Sequence, residues 1–120
     1  YTEFTAAVAM NGSGWWDESE RRFRAGLHIE KPRSFKTLSM QLRSMDPFLY
    51  TDKLAGRAIL SLHGSADTVV DPAAQALYME KIVQDRRIMS ESIAYEELGH
   101  FVTTNMMGDA IQWLDRVIRI

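Results

Sequence analysis

Arg57-Ala58-Ile59-Leu60-Ser61-Leu62, followed at once by His63-Gly64-Ser65-Ala66-Asp67 and then by Asp71-Pro72, is the stretch on which the fold turns. Six residues rich in aliphatic side chains, closed by turn-forming residues, have the length and composition of a strand buried on both faces. Asp71-Pro72 is a helix start: aspartate accepts from the first free N–H groups, and proline sits where the missing N–H costs nothing. Ala74, Leu77, Tyr78 and Ile82 then recur at helical spacing.

Outward from this core the alternation continues. Residues 4–10 (FTAAVAM) form a short apolar run that stops at Asn11-Gly12-Ser13-Gly14, which predicts an earlier strand. Residues 92–96 (SIAYE), closed by Leu98-Gly99-His100, predict a later one. The end of the chain reads as an amphipathic helix with Met107, Ala110, Ile111, Leu114, Val117 and Ile118 on one stripe. Between the first two strands lies a polar, irregular stretch with Trp15, Trp16, Pro32 and Pro47, including a loose helical pattern over 34–45. Strands alternating with helices imply an α/β fold with a parallel sheet and right-handed crossovers. About three strands with flanking helices make a narrow sheet with two edges, so the sheet is expected to be incomplete on its own.

Composition narrows the function. The 120 residues are 46% hydrophobic and 25% charged, the profile of a globular domain. A formal net charge of −2 argues against a dedicated nucleic-acid partner, which needs a basic excess on one face. The basic run within Glu20-Arg21-Arg22-Phe23-Arg24 has acidic neighbours and reads as a solvated helix face. No apolar run reaches the roughly 18 to 20 residues a membrane span needs. The absence of cysteine fits a cytoplasmic setting and removes any thiolate metal site. His28, His63 and His100 have neither i,i+4 spacing nor cysteine partners, so metal ligation is not expected, and no cofactor is implied.

Two loops carry the chemistry, each directly after a predicted strand: residues 63–72 and residues 98–101. Ligands of open parallel sheets bind at the carboxyl ends of strands, where both loops fall. A carboxylate that accepts from one imidazole nitrogen leaves the other nitrogen free to take a proton from a hydroxyl. The run HGSADTVVD followed by a helix, a strand and Gly99-His100 resembles the α/β-hydrolase superfamily, most closely the bacterial esterases of the dienelactone hydrolase and prolyl-oligopeptidase-like branch. The segments AAVAMNGSGWW and DPFLYTDKLAGRAILSLHG resemble the approaches to the same site, so most of the chain is covered.

The resemblance implies that the chain is a C-terminal α/β-hydrolase segment, with residues 13–53 a cap- or lid-like insertion. It implies Asp67 as the acid and His100 as the base of a catalytic triad, with His63 and Gly64 shaping the turn that presents Asp67. The family's nucleophile elbow, Gly-x-Ser-x-Gly, is absent. Ser13 is the nearest substitute but falls one strand too late, so the nucleophile is expected upstream of residue 1 and the chain alone is expected to be inactive. The implied activity is hydrolysis of a small-molecule carboxylic ester. Trp15 and Trp16 fit two roles, lining a substrate pocket or packing under the insertion. The implied partners are the missing N-terminal half or a second copy in a homodimer. A non-catalytic, hydrolase-derived interaction domain using the open sheet edge is the alternative. A nucleotide-binding module fits poorly, because Asn11-Gly12-Ser13-Gly14 leads into Trp15-Trp16-Asp17 rather than into a phosphate-binding helix.

Overall fold

Among the described residues the expected order of strand, insertion, strand, helix, strand and helix is present, with a further helix at the start of the insertion. The computed structural model describes residues 4–29, 40–41 and 43–119. In chain order these are β1 (Ala6–Met10), α1 (Trp16–Leu27), two 3-10 turns over Pro47–Leu54, β2 (Ala58–Gly64), α2 (Pro72–Val83), β3 (Met89–Tyr95) and α3 (Thr104–Ile118). The sheet is wholly parallel in the order β1-β2-β3, with Ala58 of β2 opposite Ala6 on one side and Met89 on the other. Of the helical pattern expected over 34–45, residues 40, 41, 43 and 44 are helical, and the rest lies outside the described residues.

β2 is buried along its whole length because it is central and covered on both faces. Ala58, Leu60 and Leu62 face α3, where they pack on Met106, Ala110 and Trp113. Ile59 faces the other way, into a cluster with Tyr78, Met79, Ile82 and Ile88 that Trp15 and Phe48 border. The polar Ser61 is tolerated on that second face because Gln75, itself buried in α2, donates Nε2–H to its hydroxyl at 3.0 Å. The carbonyl of the same Gln75 side chain accepts from Gly14 N–H at 2.9 Å. One amide thus ties α2 to the middle of the sheet and to the turn after β1.

The expected stripes hold in part: Ala74, Tyr78 and Ile82 of α2 are buried, and Ala110, Leu114 and Val117 of α3 pack on the core. In α3 the buried face is Met106, Ala110 and Trp113, whereas Met107, Ile111 and Ile118 are exposed. Both stripes satisfy a 3.6-residue period, and the tryptophan, with the largest area to bury, decides between them. In α2 Gln75 and Met79 are buried while Leu77 is exposed. β3 begins three residues before its expected start; among the described residues it is an edge strand, and Met89 and Glu91 are exposed.

α1 has an unusual start. The carboxylate of Asp46, about thirty residues further on, accepts from the N–H groups of Trp16 and Asp17 at 2.9 Å each. It also accepts from Phe48 N–H in its own turn. A remote side chain therefore satisfies the orphan donors that open a helix. The helix ends at His28, in the left-handed conformation at φ 56°, with the paired bonds His28 N–H to Ala25 O and Ile29 N–H to Arg24 O. Glu18 pairs with Arg21 and Arg22, and Glu20 with Arg24, so the basic run is the solvated face expected of it. Among the described residues, no helix is long and apolar enough to cross a membrane.

Candidate active site

The sheet places two loops side by side at the carboxyl ends of β2 and β3. Backbone bonds stitch them together: Ser65 N–H to Tyr95 O and Ala66 N–H to Leu98 O, both at 2.9 Å. Gly64 is the seat of this contact. A Cβ on it would lie 2.5 Å from the Gly99 carbonyl oxygen and closer still to that of Leu98. Backbone cannot yield as a flexible side chain can, so Gly64→Ala is expected to push residues 98–99 off the Asp67 loop. The expected cost is about 1–3 kcal/mol in urea unfolding, with loss of the low-field proton signal of a carboxylate-bonded imidazole.

Asp67 is fully enclosed, and its carboxylate is used on both oxygens. Oδ1 accepts from Val69 and Val70 N–H at 2.9 Å each. Oδ2 lies 2.8 Å from His100 Nδ1. Burial pushes this carboxyl up, but the bonds from His100, Val70 and Val69 more than offset it, and the group is held below the ordinary carboxylate range. A carboxylate accepts only, so His100 carries its proton on Nδ1 and leaves the Nε2 lone pair free. The His100 side chain is 42% exposed while that of Asp67 is inaccessible. The pair is thus a buried carboxylate and an accessible imidazole.

His63 lies beneath the pair. Its Nε2 is 2.9 Å from the Val70 carbonyl and 3.3 Å from Asp67 Oδ2. Because a carbonyl only accepts, Nε2 bears the proton. Its buried Nδ1 has no hydrogen-bond partner among the described residues. The ring therefore braces the turn that holds Asp67.

The other candidates sit apart from this pair. Trp15 stacks on Phe48 with ring centroids 4.1 Å apart, so its ring is committed to packing, whereas Trp16 is 43% exposed. Ser13 accepts from Trp15 N–H and from the Ser19 hydroxyl, so its partners belong to the start of α1 rather than to the imidazole. His28 is exposed at the far end of α1. Among the described residues no cluster of three or more His, Asp or Glu could hold a metal ion. Beside the Asp67 loop, α1 and the start of α2 enclose an open cleft of about 560 Å³ lined in part by Arg22, Phe23, Thr68 and Asp71. Arg22 bridges Glu18 at 2.8 Å and Asp71 at 3.4 Å along its wall.

Two contributors escaped the sequence reading. Tyr95, at the end of β3, donates to Asp109 of α3, and burial together with that carboxylate pushes its phenol up to about 12. Asn11 joins the end of β1 to both loops; the sequence marked it only as part of a turn.

Comparison with known structures settles the architecture. The chain superposes on acylaminoacyl peptidase of Pyrococcus horikoshii with a TM-score of 0.75, over 98% of its own length and 21% of that chain, at 13% identity. This is an α/β-hydrolase fold. The puromycin-hydrolyzing peptidase of Mycobacterium tuberculosis matches it at a TM-score of 0.63 (93% of this chain, 17% of that one, 19% identity). Zea mays acyl-protein thioesterase 2 matches at 0.54 (98% and 42%, 18% identity). The chain spans less than half the length of these α/β-hydrolase structures. No protein-family model matches the sequence, and no curated protein matches it significantly. One α/β-hydrolase fold serves many chemistries, so the activity has to be argued from the site.

Proposed function

We propose that this chain supplies the acid and base of a Ser-His-Asp triad for hydrolysis of a carboxylic ester. Asp67 orients His100, and the nucleophilic serine comes from a Gly-x-Ser-x-Gly elbow that precedes residue 1 in the intact protein. The single observation that carries the reading is the 2.8 Å contact between His100 Nδ1 and the enclosed Asp67 carboxylate, with the imidazole itself accessible. In this mechanism the serine Oγ attacks the ester carbonyl while its proton passes to His100 Nε2. The imidazolium returns that proton to the departing alcohol. Water then repeats the cycle on the acyl-enzyme and releases the acid. On this reading the described part of the 13–53 insertion serves as a cap, and exposed Trp16 is the aromatic available to substrate. The protein works in the cytoplasm on a small-molecule ester, without nucleic acid, membrane or cofactor.

A fluorophosphonate probe, which labels activated serines, tests the division of labour. The 13.7 kDa chain should remain unlabelled in intact-mass analysis, while a chain that carries the upstream elbow takes the adduct. An adduct on Ser13 would sink the proposal. One observation favours a second reading, a non-catalytic domain that associates through its sheet edge. Among the described residues β1 pairs only with β2, leaving an apolar strand with one open side. A stable homodimer with no serine elbow in the intact protein would support it.

A further inference from the structure

We infer that Asn11 is a positioning residue for the acid–base pair, holding the His100 and Asp67 loops in register from the end of β1. The inference rests on reading His100 as the base. Asn11 itself touches neither reacting group.

Asn11 is 4% exposed and adopts φ 53°, the left-handed region that asparagine tolerates better than most side chains. Its N–H continues the β1–β2 ladder to Leu62 O at 2.8 Å. Its side chain then divides. Oδ1 accepts from Gly64 N–H at 3.0 Å, at the root of the Asp67 loop. Nδ2 donates to Phe101 O at 2.7 Å, the residue directly after His100. The orientation of the amide follows from its partners, because an N–H can only donate and a carbonyl can only accept. A buried amide with both ends satisfied is costly to break, since each lost bond strands a partner away from water.

These two bonds complete a clamp around the histidine. On its N-terminal side the Leu98 carbonyl is held by Ala66 N–H from the Asp67 loop. On its C-terminal side the Phe101 carbonyl is held by Asn11. Without the second hold, the backbone of residues 100–103 is restrained mainly by Phe101 N–H to Gly99 O and by the Thr103 cap of α3. The imidazole could then leave the carboxylate without disturbing the sheet. Glycine, serine or aspartate at position 11 cannot make both bonds. Glycine has no side chain, serine is too short to reach both loops, and aspartate presents an oxygen to the Phe101 carbonyl.

The test is side-chain NMR of the ¹⁵N-labelled protein, alongside Asn11→Gly and Asn11→Asp. Glycine keeps the left-handed turn and removes both side-chain bonds. Aspartate keeps the acceptor for Gly64 N–H and removes only the donor. In the unsubstituted protein one Asn11 side-chain amide proton should exchange at least about tenfold more slowly than a free amide, and His100 should be the Nδ1–H tautomer. Both variants should show His100 averaged between tautomers with its Nδ1 proton lost to fast exchange. The Gly64 amide should stay protected only in Asn11→Asp. Variants that fold and keep the His100 tautomer and its slow proton would overturn the inference. If neither variant folds, the Asn11 amide of the unsubstituted protein decides, and fast exchange there overturns it. In the intact enzyme either variant should lower kcat about 10- to 100-fold with KM unchanged, the signature of misplacement rather than lost binding. Full activity in His100→Ala would remove the base assignment itself, so the two failures are distinguishable.

Discussion

Replacing His100 with alanine in the intact enzyme is expected to lower turnover by on the order of 10⁴- to 10⁶-fold, with KM little changed. In the proposed mechanism the imidazole takes the serine proton and gives it to the leaving alcohol, so its loss would remove both proton transfers. The fold should survive. The side chain is 42% exposed, and among the described residues its hydrogen bond is to Asp67. Asp67 retains the Val69 and Val70 N–H groups, and removing the ring opens Oδ2 to water. The stability change should therefore stay near 1 kcal/mol in urea unfolding. Activity within tenfold of the unsubstituted enzyme would refute the assignment. Gross unfolding would show that the loop depends on the ring more than these contacts imply.

The second large effect is at Asp67. In Asp67→Asn the amide oxygen still accepts from Val69 and Val70, so the turn is preserved. The amide nitrogen, however, now faces His100 Nδ1 and the proton on His63 Nε2. His100 must turn its lone pair to the amide and carry its proton on Nε2, the wrong tautomer for a base. A loss of about 10⁴-fold in kcat is expected, read by steady-state kinetics with the tautomer followed by NMR. A pH dependence accompanies it. The Asp67 carboxyl is held below its ordinary value, near 3.9 in the unfolded chain, so its ionised form contributes stability that is fully present above about pH 4. That contribution is lost as pH falls through the lower folded-state value. Stability of the unsubstituted protein should thus fall towards that of Asp67→Asn below about pH 4. Parallel urea midpoints from pH 7 to pH 2.5 would contradict this account.

The parts of this fold that were legible share a cause: local signals that agree with tertiary demand. β2 is a run of apolar residues because it is covered on both faces, and its loop follows directly from turn residues. Asp71-Pro72 announced α2, and Asp71 does accept from Ala73 N–H at 2.8 Å. Asp46-Pro47 has the same form, yet its larger role, closing α1 from thirty residues away, depends on a contact no local pattern encodes. Gln75 is similar, a polar residue on an apolar face whose partners Gly14 and Ser61 come from elsewhere in the chain. Asn11 carried a usable hint, an Asn-Gly at a strand end, which favours positive φ. What it bonds could only come from the sheet order. The α3 stripe is legible only in part because two overlapping helical faces are apolar, and burial of Trp113 chooses between them.

The contact between the two loops over Gly64 has a consequence for how such a site can diversify. Asp67 and His100 are 33 residues apart and are joined through one β2–α2–β3 crossover, a short circuit for so exacting an alignment. Beyond Asn11, the described residues of the stretch from α1 to β2 take little part in holding them. That stretch can be lengthened, shortened or rewritten, at a loop-closure cost that grows only with the logarithm of its length. Selection can therefore alter what reaches the imidazole while the imidazole and its carboxylate are inherited as one piece.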